Sequence, residues 1–268
     1  VQFIFVEPFF SYHHPRTQSM EQLKELIDGV DGQEWYLEIN AYLEDHQCAA
    51  LNDLLSASAL FQPKGIYFAD FAVYQLLKEM DYKGEMIYAP ETILTSSSDV
   101  EFYLNYVHRV VIAKELTLDE MVHIASKFPN RVECFACGYA MMSVSKRPLV
   151  QNYMDELKRE DKVLNRLDLR IQEEKRPEWM PILEEVNATS TYMPTITFSR
   201  DQISDFTQAN MGAIICDSCF IEDQDFVDCV HLMLNQEASM SLDELKEKLP
   251  LGEAYYYRKT NLLKGDKA

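Results

Sequence analysis

The sequence predicts an α/β protein whose strand-then-helix units wind into a TIM-like (β/α)8 barrel, and three observations predict it. Short apolar runs rich in Val, Ile, Tyr and Phe alternate with longer segments of helical period, the pattern of parallel strands joined by crossover helices. The length of 268 residues suits one such barrel, which takes about 250. Polar residues stand at nearly every predicted strand end, where parallel α/β folds collect their functional groups.

Seven strands are predicted, at Phe3 to Phe10, Trp35 to Ala41, Gly65 to Asp70, Glu85 to Ala89, Arg109 to Leu116, Arg131 to Gly138 and Gly212 to Phe220. Helices are predicted between the first six, near Met20 to Ile27, Asp45 to Ser58, Phe71 to Met80, Val100 to Tyr106 and Leu118 to Ser126. Capping-box spacings mark helix starts at Ser19 with Gln22, Thr117 with Glu120 and Ser241 with Glu244. The first element is a strand with neither Met nor a capping residue before it, so the barrel is expected to lack its first β-α unit. The rhythm breaks between Val150 and Ser199, a polar stretch carrying Pro177, Pro181 and Pro194. The expected organisation is therefore barrel units over 1–150, an insertion or small C-terminal lobe over 151–200, and the last barrel strand with C-terminal helices over 201–268.

Hydrophobic residues make up 47% of the chain and charged residues 26%, ordinary for a globular protein. No window approaches the roughly 18 apolar residues of a membrane span, and the opening lacks the basic flank of a signal peptide. The expectation is a cytoplasmic protein without a membrane partner. The net charge of -19 repels phosphate at long range and argues against unaided nucleic-acid binding. Six cysteines without a secretory signal fit reduced thiols.

Strand ends select the candidate residues. Lys114-Glu115 closes one strand, and Glu91, in the Pro90-Glu91-Thr92 turn after the preceding strand, is expected to approach it across neighbouring strand ends about 5 Å apart. Two carboxylates beside an ammonium suit acid-base work, so Glu115, Glu91 and Lys114 are the catalytic candidates, with a structural ion pair as the alternative. Tyr88, Thr92, Asn40 and Asp217 are substrate-binding candidates by position. Lys146 and Arg147 form a local cationic cluster suited to a phosphate or carboxylate. Ser143 and Lys146 have S-x-x-K spacing, but no S-D-N or K-T-G companion exists, since Lys259-Thr260 is followed by Asn261.

Cys134-Phe-Ala-Cys137 and Cys216-Asp-Ser-Cys219 are two C-x-x-C pairs at strand ends, a spacing able to share one zinc ion or iron–sulfur cluster. Residues three apart in an extended strand point to opposite faces, so each pair needs a turn to converge. The alternative is buried thiols acting as small hydrophobes. His13-His14 reads as a solvated loop, and neither H-E-x-x-H nor G-x-G-x-x-G occurs.

Three segments in order, Tyr88-Ala-Pro-Glu-Thr-Ile-Leu-Thr95, Arg109-Val-Val-Ile-Ala-Lys-Glu-Leu-Thr-Leu-Asp-Glu120 and Cys137-Gly-Tyr-Ala-Met-Met-Ser-Val-Ser-Lys-Arg-Pro-Leu-Val-Gln-Asn-Tyr153, resemble the peptidase U32 family, once called collagenase-like. Ile214-Ile-Cys-Asp-Ser-Cys-Phe220 and Tyr257-Arg-Lys-Thr260 extend the resemblance along nearly the whole chain. It is similar to the short members, which are paired with a longer paralogue. The resemblance implies a TIM-like barrel, a historical peptidase label, and a newer role in making 5-hydroxyuridine in tRNA without oxygen, with prephenate as donor. Several longer relatives hold a four-iron cluster through cysteines near a serine-glycine-arginine-cysteine run, where this chain has Ser143-Val-Ser-Lys-Arg147.

The expected function is a subunit of such a tRNA uridine hydroxylation system, reaching tRNA through the longer paralogue in a hetero-oligomer. A peptidase, and a non-catalytic barrel that stabilises that paralogue, are the alternatives.

Overall fold

The computed structural model of the chain describes residues 2–13, 19–30, 32–58, 62–174 and 177–258; His14 and the Lys259-Thr260 pair lie outside them. Five strand–helix units come first: β1 Phe3–Val6 and α1 Met20–Asp28, β2 Trp35–Ile39 and α2 Cys48–Ser58, β3 Gly65–Phe68 and α3 Phe71–Glu79, β4 Glu85–Tyr88 and α4 Ser97–Tyr103, β5 Arg109–Val111 and α5 Leu118–Lys127. They are followed by β6 Val132–Ser145, α6 Leu149–Glu156, β7 Arg170–Gln172, β8 Trp179–Glu184, β9 Thr189–Phe198, α7 Ile203–Gln208, β10 Ala213–Cys216, α8 Asp223–Met233, α9 Leu242–Lys248 and β11 Leu251–Gly252. Every predicted strand holds an observed one. The Thr117 and Ser241 capping boxes are both complete, and Ser19 accepts from the Gln22 N–H at the start of α1.

Strands β1 to β6 pair in chain order and in parallel, and β10 adds in parallel to β6. The arc does not close. Among the described residues no backbone pairing joins β1 to β10, so the sheet expected as a (β/α)8 barrel lacking its first β-α unit is an open arc. Alternation along the strands sorts their side chains: Leu37, Ile39, Ile66, Phe68, Val110 and Ile112 pack outward against the helices, while Tyr36, Tyr67, Ile87 and Val111 pack inward with Ile4 and Ile215. The lower end of the interior is stopped by Arg109, which pairs with Glu133 and with Glu85 at 2.6 Å and donates to the Tyr36 hydroxyl at 2.9 Å. Tyr67 donates to Glu133 at 2.8 Å.

The stretch expected as a small lobe is largely an antiparallel sheet missed by the sequence reading. Strand β6 runs on past the barrel, pairs with β9 from Cys137↔Phe198 to Ser145↔Thr189, and β8 and β7 follow antiparallel. Helix α6 covers the outer face of this sheet, where Val150 and Ile182 meet and Glu184 accepts from the Val150 N–H at 2.7 Å and the Gln151 N–H at 3.2 Å. The other face, through Met141, Leu183 and Tyr192, packs on Tyr12 and Ala41 at the upper ends of the first strands. Asn187 donates to Phe9 O at 2.9 Å and Ser11 O at 2.8 Å, and Lys146 meets Glu44 beyond β2 at 3.2 Å. The antiparallel sheet is thus a lid fastened over the barrel mouth.

The change of sheet within β6 falls at Gly138, whose φ is +126°. A Cβ there would stand 2.6 Å from Asp217 O, so only glycine satisfies both the backbone conformation and the close approach of β10. Gly138→Ala is expected to destabilise the protein by about 2–3 kcal/mol, read from urea midpoints; an unchanged midpoint would show that the junction is not constrained.

Candidate functional site

Charged groups collect beneath the lid where the parallel strands end. Lys114, just after β5, pairs with Glu91 and lies over the Phe135 ring at 5.1 Å. Glu38, on β2, faces the same space, with Glu91, His13, Asp217 and Lys114 as its charged neighbours. His13, in the loop after β1, bonds Asp217, just after β10, through Nε2, and Tyr192 of the lid through Nδ1 at 2.5 Å. Its backbone N–H donates to Glu185 of the lid. The unpaired barrel edges are therefore joined at the rim by one ion pair.

The local sequence explains these placements. Asp217 accepts from the Cys219 N–H at 2.7 Å, an Asx-type turn within Asp-Ser-Cys that holds one carboxylate oxygen while the other takes His13. Asn40 reads the backbone of Tyr12 in both directions, accepting from its N–H at 2.9 Å and donating to its carbonyl at 3.0 Å. That clamp sends the Tyr12 ring under the lid, 3% exposed, and its hydroxyl has no hydrogen-bond partner there. His13, Glu91 and Phe220 all have positive φ, at 70°, 69° and 66°. Three left-handed non-glycine residues around one rim are a local cost, of the order of 1 kcal/mol each, of the kind that gathers at functional sites.

Burial and charge set the protonation states. Burial opposes a charge on His13, but Asp217, by charge and hydrogen bond, and Glu185 outweigh it and raise His13 to about 9. Burial likewise opposes ionisation of Asp217, yet His13 holds its carboxyl below the ordinary value. Lys114 is held above its ordinary value by Glu91 against burial. Glu38 is pushed up to about 7 by burial and then by Glu91. Glu115 is raised by burial, and its Oε2 has no hydrogen-bond partner.

Of the predicted residues, Glu91, Lys114, Glu115 and Asp217 come together, and Asn40 positions Tyr12 beside them. Tyr88 does not join them: it faces outward, among Phe68, Phe71 and Tyr103. Thr92 is in an exposed turn. Lys146 and Arg147 are exposed at the far end of β6. The four cysteines do not form one ligand set either. Cys137 is raised by hydrogen bonds with Cys216 and Cys229 on the outer side of the barrel wall, whereas Cys219 packs with Tyr12 and Tyr192. Among the described residues no three His, Cys, Asp or Glu side chains are arranged to hold a metal ion, although the Cys137, Cys216 and Cys229 thiols meet. Residues that sequence reasoning missed are His13, taken for a solvated loop, and Glu38 and Tyr12. The signal for Glu38 was present, because a carboxylate between Tyr36 and Asn40 shares their inward face. An open hollow lined by Thr95, Ser96, Asp119, Glu120 and His123 lies outside the barrel, but its Glu120 serves the cap of α5.

The His13–Asp217 pair makes stability depend on pH. His13 keeps its proton to about 9 folded against 6.5 unfolded, so its contribution is full below 6.5 and is lost as pH rises through 9. Depressed Asp217 contributes above its unfolded value of 3.8 and loses that contribution as pH falls through its lower folded value. Urea midpoints are expected to decline between about pH 6.5 and about pH 9, and Asp217→Asn to flatten that decline. An equally steep decline in the variant would remove the pair as its cause.

The model of Peptidase family U32 matches residues 8–228. A protein of Bacillus subtilis (strain 168) described as tRNA hydroxylation protein P2 is 23% identical over 194 residues, which cover 70% of this chain and 62% of that protein. Among solved structures, the spore cortex-lytic enzyme SleL of Bacillus megaterium QM B1551 is similar at 9% identity and a TM-score of 0.41, over 83% of this chain and 63% of that one. Chitinase ChiW from Paenibacillus sp. str. FPU-7 is similar at 10% identity and a TM-score of 0.44, over 88% and 38%. The two structural likenesses are too distant to bear on the site, whereas the family match runs from the turn after β1 into α8 and takes in His13, Glu38, Glu91, Lys114 and Asp217: the chain belongs to the peptidase U32 family.

Proposed function

We propose that this chain is a subunit of an oxygen-independent tRNA uridine-hydroxylating system that makes 5-hydroxyuridine, and that the chamber beneath the lid is where it acts. The observation that supports this best is the buried cluster itself: two cations, four carboxylates and a phenol without a hydrogen-bond partner among the described residues, all at the strand ends. Removing that many charges from water costs several kcal/mol per ion before pairing, and apolar packing would fill the same space without that penalty. Membership of the U32 family and similarity to a protein described as acting in tRNA hydroxylation agree with the reading.

In this reading Lys114 and His13 hold a carboxylated donor, and Glu91 keeps the Lys114 ammonium in place. Glu38, near 7, is divided between its two protonation states at neutral pH and moves a proton. The Tyr12 hydroxyl donates a hydrogen bond to an oxygen of the bound molecule. The longer paralogue completes the assembly and carries much of the tRNA surface, as the net charge of -19 requires. A peptidase would need an activated nucleophile, and the S-x-x-K pair does not supply one: Ser143 bonds Thr191 at 2.6 Å while Lys146 meets Glu44.

The test is mass spectrometry of tRNA nucleosides from a strain deleted for the gene. Loss of 5-hydroxyuridine-derived nucleosides, restored by wild type but not by Lys114→Met, is expected; an unchanged profile on deletion sinks the reading. In the reconstituted system, activity should bend near pH 7, and Glu38→Gln should abolish that bend and lower turnover about 100-fold. A bend that persists in the variant assigns the proton to another group.

A further inference from the structure

Charge is unevenly spread along the chain. Nine of the 25 lysines and arginines lie within residues 146–176, beside only seven of the 44 acids. A chain of net charge -19 thus contains a net-cationic stretch in its interior, and it builds α6, β7 and the approach to β8.

The faces of the β7–β8 hairpin show where part of that charge points. Leu183 of β8 lies on the barrel-facing side of the lid with Tyr192. Strand residues two apart share a face, so Pro181 and Trp179 continue that side outward, and Trp179 stands about 13 Å from Leu183. The register Arg170↔Pro181 and Gln172↔Trp179 sets Arg170 and Gln172 beside them. Trp179 is 60% exposed, whereas the other tryptophan, Trp35, is 8% exposed. Arg170 is braced in place: its Nη1 donates to Leu167 O at 2.7 Å and Leu169 O at 2.8 Å. Its guanidinium lies 5.6 Å from the centre of the Phe220 ring, which in turn packs on Tyr192 at 4.8 Å. It makes no ion pair with a described carboxylate.

An oriented, exposed guanidinium on the same face as an exposed indole, a face that leads back to the ring bonded to His13, matches what single-stranded nucleic acid requires: a flat surface for a base and a fixed cation for a nearby phosphate. We infer that the barrel-facing side of the β7–β8 hairpin is a docking surface for single-stranded RNA, with a base stacked on Trp179 and a phosphate on Arg170. The inference rests on the hydroxylation reading for its choice of RNA, and it places on this chain a contact that the net charge alone would leave to the partner.

Fluorescence anisotropy with a labelled, short single-stranded RNA of mixed sequence, across a salt series on the full chain, tests the surface. Trp179→Ala is expected to weaken binding about ten-fold, and Arg170→Gln to reduce the slope of log affinity against log salt by about 0.7. Tyr153→Ala, on α6 across the sheet, should change neither. RNA should quench tryptophan emission in the wild type and not in Trp179→Phe. Both test residues are exposed, so unchanged thermal melts are expected, and Arg170→Gln keeps the test decisive if Trp179→Ala folds poorly. No binding at low salt, or binding indifferent to both substitutions, overturns the inference; so does an emission change produced by the longer paralogue but not by RNA, which makes the face a protein interface. Absence of RNA binding by the wild-type chain, with its role in tRNA hydroxylation intact, condemns this surface alone, and binding without any hydroxylation role condemns the proposed function while leaving the surface.

Discussion

One strand belongs to two sheets, and the rest of the structure depends on it. The first part of β6 is barrel wall, held by β5 and β10; its second part is lid, held by β9. The handover takes place at a single glycine with a backbone angle closed to other residues, against the carbonyl of Asp217. Because the same strand carries both sheets, the lid is placed over the barrel by covalent continuity, and the loop after β1 has a fixed surface to dock on. The burial of Tyr12 and His13, and the altered proton affinities that follow from it, descend from that arrangement.

The two ends of the barrel show how burial of charge differs between support and chemistry. At the lower end Arg109 spends its donors on Glu133, Glu85 and Tyr36, while Tyr67 serves Glu133. Such a network holds strands together and leaves nothing to offer a ligand. At the upper end the pairing is incomplete: the Tyr12 hydroxyl and one oxygen of Glu115 are without hydrogen-bond partners among the described residues. A buried hydroxyl left unbonded costs roughly 1–3 kcal/mol, a penalty that a bound molecule with a suitable oxygen would remove.

The parallel half of the fold was legible because its signals are local. Each strand carries its own apolar run, and α1, α3, α4 and α5 each carry a side-chain N-cap, so β1 to β6 and β10 stand where the residues place them. Glu91, Lys114 and Asp217 lie together by the same logic, since neighbouring strand ends converge. The lid was not legible. Strand β9 contains Pro194 and is held by β6, far away in sequence, and β7 is three exposed residues held by a hairpin with β8. Tyr88 failed by parity, lying one position from the inward-facing Ile87 and Ala89. The C-x-x-C pairs failed for the reason their spacing contained: Cys134 and Cys137 sit in different packing clusters. His13 looked solvated because the groups that bury it, Tyr192 and Glu185, belong to the unread lid.

A ring fastened by a side-chain pair differs mechanically from one fastened by a backbone ladder. Ladder closure fixes strand register and stagger, and with them the diameter of the barrel. Between β1 and β10 the polar fastening among the described residues is instead the His13 imidazole and the Asp217 carboxylate at one end of the seam. Charge attraction varies gently with distance, so that seam can widen by fractions of an ångström without breaking anything, while the wall from β1 round to β10 keeps its spacing. The barrel is a stiff arc with one compliant seam, and the residue that fastens the seam is also one that faces the chamber.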